Sequence, residues 1–181
     1  CTMATMDARV TTPVAALAFD AGLVTQYDGF GPRSTSYPTA GRFHDGFAVA
    51  QYRAALASRN HDRADQPLSL YVHIPFCNTV CYYCACNKVI TKDHTKAAEY
   101  LDALEREAAM VADRLSGGHS IEQLHIGGGS PTFLDNDQLR RLMAIITSRF
   151  PLTANAETGI EVDPRGTGPD KVRVLGALGF N

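Results

Sequence analysis

Apolar positions change their period along the chain, and each change marks an element. Leu68, Leu70, Val72 and Ile74 alternate with Ser69, Tyr71 and His73, which predicts a strand over Leu68–Ile74 that stops at Pro75. The spacing then lengthens. Tyr100, Leu101, Leu104, Ala108, Val111 and Leu115 form one stripe of an amphipathic helix over Thr95–Leu115. A second short strand, Gln123–Ile126, runs directly into Gly127-Gly128-Gly129. A second helix is expected over Asp137–Phe150, with Leu139, Leu142, Met143, Ile146 and Phe150 on one face. Gly159–Val162 reads as a third strand, and Asp170–Leu178 as a third helix with Gly179 as its C-cap. Upstream, Phe47–Arg59 holds good helix formers, with Asp45 or Gly46 near the start. Residues 1–40 lack periodicity and carry turns at Gly31-Pro32 and Tyr37-Pro38, with one short helix near Val14–Leu23.

Strand and helix alternate three times, which predicts an α/β fold of parallel strands joined by right-handed crossovers. A closed barrel of such units needs ~200 residues or more. The expectation is therefore the first three βα units of a partial barrel over residues 67–181, preceded by an arm and helix over 1–66. A fourth strand should follow Phe180-Asn181, so the chain reads as truncated.

Composition narrows the function classes. Apolar residues make up 45% of the 181 and charged residues 20%, as in packed globular domains. The balance of 17 basic against 19 acidic residues gives a formal charge of -2, which argues against a nucleic-acid binder. No apolar stretch reaches the ~18 residues of a membrane span. Cys1–Val10 has no apolar core for a secretory signal, and a lipid-modified Cys1 finds no support there. The expected setting is the cytoplasm.

Four of the five cysteines, Cys77, Cys81, Cys84 and Cys86, fall within ten positions. Disulfide frameworks spread their cysteines to close loops, so this cluster points to a metal or iron–sulfur site. The first three follow the spacing C-x3-C-x2-C. Three thiolates leave one iron of a cubane open to a small chelating molecule. Cys86 as a fourth ligand would close that iron. Zinc held by all four cysteines, or by three with His73 or His94, is the other reading, although paired C-x2-C halves are lacking. Ligands of parallel α/β folds sit at the carboxyl ends of strands, and all three ends here are unusual. The first leads to the cysteines, the second to Gly127-Gly128-Gly129-Ser130-Pro131-Thr132, the third to Glu161-Val162-Asp163-Pro164. The glycine run allows close backbone approach to a ligand, or simply makes a strand-to-helix turn. Glu161 could accept ribose hydroxyls, pair with an ammonium or stand as a solvated acid, and Tyr71 alone reads as core. His73 and His125 read as packed or hydrogen-bonded strand residues rather than catalytic ones.

The segment His73-Ile74-Pro75-Phe76-Cys77-Asn78-Thr79-Val80-Cys81-Tyr82-Tyr83-Cys84 resembles the radical S-adenosylmethionine superfamily. Cys84-Ala85-Cys86-Asn87-Lys88 and Gly31-Pro32-Arg33-Ser34-Thr35-Ser36-Tyr37-Pro38-Thr39-Ala40 narrow the resemblance to its oxygen-independent coproporphyrinogen III oxidases. The similarity runs from about Tyr27 to the end of the chain. It implies a radical S-adenosylmethionine partial (β/α) barrel and a further carboxyl-terminal domain. It also implies oxidative decarboxylation of two coproporphyrinogen III propionates to vinyls, giving protoporphyrinogen IX through a 5′-deoxyadenosyl radical. Cys77, Cys81 and Cys84 then match the ligands of a [4Fe-4S] cluster. Tyr71, Gly128 and Glu161 match contacts to the cluster-bound S-adenosylmethionine, and Tyr83, Gly129 and Ser130 match contacts to a second one. Cys86 matches a cysteine needed for activity but not bound to the cluster. An electron donor, a terminal electron acceptor and a monomeric full-length protein are implied as well. Ser34 stands where tyrosine is usual, removing an aromatic surface, and Ser130 replaces threonine while keeping the hydroxyl. Related superfamily members bind and deliver haem, which is the alternative function. They generally lack the C-x-C continuation and the Gly-Pro-Arg segment. This chain alone is expected to be inactive.

Overall fold

The computed structural model describes residues 20–29, 40–82 and 84–181. It divides into two units, Cys1–Asp45 and Gly46–Asn181. In the first, helix α1 (Ala21–Tyr27) begins where the Asp20 carboxylate accepts the N–H groups of Gly22 and Leu23. That cap satisfies donors that have no partner within the first turn. A 3₁₀ turn follows at Ala40–Arg42. Helix α1 overlaps only the end of the expected Val14–Leu23. Residues 14–19, the segment 31–39 with Ser34, and Tyr83 lie outside the described residues.

The second unit runs α2 (Val49–Asp62), β1 (Leu68–Ile74), β2 (Phe76–Cys77), β3 (Val89–Ile90), α3 (Thr95–Ala112), β4 (Ile121–Gly128), a 3₁₀ turn (Pro131–Phe133), α4 (Asn136–Arg149), β5 (Leu152–Ile160) and α5 (Pro169–Ala177). The main sheet has the order β1-β4-β5, and both of its ladders are parallel. This is the expected α/β alternation.

Several bounds differ from the expectation. Helix α2 starts at Val49, where the Gln51 side chain accepts the Ala48 N–H, and continues to Asp62. Helix α3 stops at Ala112, because the next N–H groups, of Arg114 and Leu115, turn back to Val111 and Ala112. Helix α4 opens one residue early on a reciprocal cap between Asp135 and Gln138. The third strand is the largest correction. It starts at Leu152 rather than Gly159, and ends at Ile160, so Glu161 and Val162 stand beyond it. Of its nine residues only Ala156 and Thr158 are buried, so its pairing to β4 at Leu152 and over 157–160, rather than apolar alternation, makes it a strand.

The core lies on one face of the sheet. Val72, Ile74, Leu124 and Ile126 pack there against Leu101 of α3 and Leu139, Leu142 and Ile146 of α4. Each such side chain contributes about 1.5–3 kcal/mol by leaving water. The other face is polar and arranged in rows across the strands. Ser69, Gln123 and Glu157 share one row, and Tyr71, His125 and Gly159 the next. Register therefore brings together residues far apart in sequence.

Candidate functional site

The carboxyl ends of all three strands open on a cavity of ≈ 580 Å³. Cys77, Cys81, Cys84 and Cys86 line it from the first rim, Gly128, Gly129 and Ser130 from the second, and Glu161 and Asp163 from the third. Tyr71 lies outside this lining, on the polar sheet face and half-exposed. It is therefore not the core residue that its alternation alone suggested.

The cysteine loop is held as a closed lobe. Strands β2 and β3 pair in parallel on either side of it, with Phe76 opposite Val89 and Cys77 opposite Ile90. The Val89 N–H donates to Pro75 O at 2.8 Å, and the Thr91 N–H to Cys77 O at 2.9 Å. His73 ties the lobe to the sheet, since its Nε2 is 2.8 Å from Asn87 O and its Nδ1 is 3.0 Å from the Tyr71 hydroxyl. His73 is thus hydrogen-bonded at both nitrogens.

The glycine run leaves room for the protein's own groups. A Cβ at Gly127 would stand 3.0 Å from the Glu161 carboxylate, and one at Gly128 2.7 Å from the His73 ring. At Gly129 it would meet Cys77 Sγ at 2.8 Å and Pro75 O at 2.7 Å. Gly128 also sits at φ +117°, in the region that side chains disfavour. The run packs three rims together, beyond the close ligand approach expected of it.

Glu161 has a neighbour at each oxygen. The Gly128 N–H donates to Oε2 at 3.1 Å, and His125 Nε2 lies 3.5 Å from Oε1. Two residues on, Asp163 takes Arg165 in a fork, with Nε 2.9 Å from Oδ1 and the terminal nitrogen 2.8 Å from Oδ2. Thr132 Oγ1 accepts the Asp163 N–H, which fastens the second rim to the third. The Arg165 guanidinium holds the Asp163 carboxyl below the usual carboxylate range, and Asp163 in turn raises Arg165. Arg165 lines the cavity, and sequence reasoning missed it. The signal lay in Asp163-Pro164-Arg165, a turn whose carboxylate folds back on the following arginine.

The thiols differ in their surroundings. Burial pushes Cys77 up, whereas a hydrogen bond from the Cys86 backbone pulls the half-buried Cys84 down. All four are free thiols. Among the described residues, no three of His, Cys, Asp and Glu converge on a single metal ion. A cubane asks for less convergence, because each thiolate binds a different iron. Soft donors on one loop, facing a cavity, fit a cluster with Cys77, Cys81 and Cys84 as ligands.

Comparison with known proteins places this arrangement. The profile of the Radical SAM superfamily matches residues 71–181. Oxygen-independent coproporphyrinogen III oxidase of Pseudomonas aeruginosa is 48% identical over 91% of this chain, which spans 36% of that protein. The protein of the same name from Mannheimia haemolytica is 45% identical over 82% of this chain and 98% of its own length. The solved coproporphyrinogen III oxidase from Escherichia coli, described as a radical SAM enzyme, superposes with a TM-score of 0.73 at 43% identity. The match covers 91% of this chain and 35% of that one. This chain therefore spans about a third of the length of the Pseudomonas and Escherichia relatives. Superfamily membership generally implies a [4Fe-4S] cluster and S-adenosylmethionine. The chain belongs to the radical SAM superfamily and, within it, to the oxygen-independent coproporphyrinogen III oxidase family.

Proposed function

We propose that this chain carries the cluster-binding part of an enzyme that decarboxylates coproporphyrinogen III propionates to vinyls without oxygen, giving protoporphyrinogen IX. The observation that carries the reading is the meeting of three rims at one cavity: the cysteines, the glycine run and Glu161. When bound, the cluster supplies the electron that cleaves S-adenosylmethionine and yields a 5′-deoxyadenosyl radical. Each propionate then loses one β-hydrogen and carbon dioxide, and an external acceptor takes the remaining electron.

The residues of this chain have separate tasks in that reading. Cys77, Cys81 and Cys84 hold three irons and leave the fourth open, while Cys86 stays unligated on the exposed side of the lobe. Gly128 and Glu161 receive the cluster-bound S-adenosylmethionine, with Tyr71 beside them on the polar face. Tyr83, Gly129 and Ser130 belong to a second S-adenosylmethionine. Residues 67–181 form the opening βα units of the barrel, and 1–66 the arm and helix before it. The porphyrinogen contacts, an electron donor and the acceptor belong to the whole protein, for which a cytoplasmic monomer is the simplest setting.

Anaerobic reconstitution with iron and sulfide, followed by electron paramagnetic resonance of the reduced chain, tests the reading. The expected result is a [4Fe-4S]⁺ spectrum that changes when S-adenosylmethionine is added. A cluster blind to S-adenosylmethionine in both the parent chain and Cys86→Ala would overturn it. A response gained only in Cys86→Ala would instead make Cys86 the fourth ligand.

A further inference from the structure

His125 is the central residue of the polar sheet face, and its ring is flanked on both sides along the row. On one side the Tyr71 ring stacks on it, with centroids 5.9 Å apart and planes 14° apart. On the other side stands Gly159, where a Cβ would lie only 3.2 Å from His125 Nδ1. The three residues share one row of the ladder, so the slot is built by register. Tyr71 is itself anchored, its hydroxyl 3.0 Å from His73 Nδ1. His73 in turn reaches Asn87 O at the base of the cysteine lobe. A continuous set of contacts thus runs from that lobe through His73, Tyr71 and His125 to Glu161.

From this geometry we infer that His125 is the positioning residue for Glu161, fixing its carboxylate for the ribose hydroxyls of S-adenosylmethionine. The inference rests on the reading above, in which Glu161 contacts that cofactor. Glu161 stands one residue beyond β5, its N–H donating to Ile126 O at 2.9 Å, which fixes its backbone but not its half-exposed carboxylate. One oxygen is held by the Gly128 N–H, which leaves the carboxylate free to swing about that point. His125 Nε2, 3.5 Å from the other oxygen, is the side chain placed to limit that rotation. An exposed ion pair of two flexible side chains contributes little to stability. Here the imidazole is already immobilised by stacking, so its effect falls on orientation. Restricting a receptor group in advance lowers the entropy lost when a ligand binds. The contact needs a proton on Nε2, which the imidazolium and one neutral tautomer both provide.

The test measures binding of S-adenosylmethionine, and of its analogue lacking the ribose 2′-hydroxyl, to the anaerobically reconstituted chain. It compares the parent with His125→Gln, His125→Phe, Glu161→Gln and the double variant His125→Phe/Glu161→Gln. Circular dichroism and cluster absorbance first establish that each variant is folded and loaded. The expected result is about 10-fold weaker binding for His125→Phe, the scale typical of losing an orienting neighbour. His125→Gln, which keeps an N–H donor, should stay within about 3-fold of the parent. In the Glu161→Gln background, His125→Phe should cost nothing further. The preference for the full ribose should shrink in His125→Phe, which a merely structural role would not cause. Weak binding by Glu161→Gln with unchanged binding by His125→Phe overturns the role of His125 alone. So does an equal loss in His125→Gln and His125→Phe, or a loss that persists in the double variant. Unchanged binding by Glu161→Gln overturns the underlying reading of Glu161, and the inference with it.

Discussion

At Gly128 the backbone lies at φ +117°, and an added Cβ would come within 2.7 Å of His73 Cε1. The ring has no room to retreat, because both of its nitrogens are bonded. Gly128→Ala should therefore destabilise the chain by about 1–3 kcal/mol, the cost of a strained backbone position. Gly176 is the contrast. It lies inside helix α5 with nothing within 4 Å of a built Cβ, so Gly176→Ala should stabilise by about 1 kcal/mol. Urea unfolding of the two variants checks both signs, and equal effects would show that neither site is read correctly. Asp163 gives a pH-dependent prediction of its own. Its carboxyl is held below the usual range by Arg165, so its contribution is full above the unfolded value of ~3.9. That contribution fades as pH falls through the lower folded-state value. The stability gap between the parent and Asp163→Asn should thus be widest near neutrality and narrow below about pH 4. A gap that widens in acid would contradict the fork to Arg165.

The pairing of β2 with β3 is only two residues long on each side, yet it closes the lobe that carries every clustered cysteine. Val89→Pro removes the N–H that donates to Pro75 O and should open that closure. Iron retained after reconstitution should fall to roughly half or less of the parent's, while helix content by circular dichroism stays the same. Full iron retention would mean that the cysteines themselves, rather than the pairing, shape the lobe. Elements of this size explain which parts were legible in the sequence. Strand β1 was readable to both ends because Leu68, Leu70, Val72 and Ile74 alternate without a gap and Pro75 follows. Strands β2 and β3 are too short for any period to show. The start of β5 was hidden because Thr153, Asn155 and Glu157 look like a loop, and β4 pairs only with Leu152 before the register shift and with residues 157–160 after it. The same division holds for the site. Its cysteines, glycines and Glu161 stand in short recognisable strings, whereas the role of His125 depends on lying beside Tyr71 and Gly159. That adjacency comes from register, and no local spacing encodes it.

Helices α3 and α4 cover one face of the sheet, while Tyr71, His125 and Glu161 remain about half-exposed on or beside the other. Parallel sheets are ordinarily buried on both faces, so the open polar face is where a bound ligand would add cover. A ligand that binds only the folded chain stabilises it by RT ln(1 + [L]/Kd), about 2.7 kcal/mol at one hundred times Kd. The site joins three separate strand ends, and the unfolded chain cannot present them together. S-adenosylmethionine added to the cluster-loaded chain at that excess should therefore raise unfolding stability by about 2.7 kcal/mol. The same concentration should give a smaller increment in Glu161→Gln, because weaker binding lowers [L]/Kd. Anaerobic removal of iron with a chelator should abolish the increment, since the open iron anchors the ligand in this reading. Urea midpoints with and without S-adenosylmethionine for the loaded parent, the loaded Glu161→Gln and the iron-free parent separate the possibilities. An increment that survives iron removal would place S-adenosylmethionine on the protein surface alone. An increment equal in the parent and Glu161→Gln would place it away from the third rim.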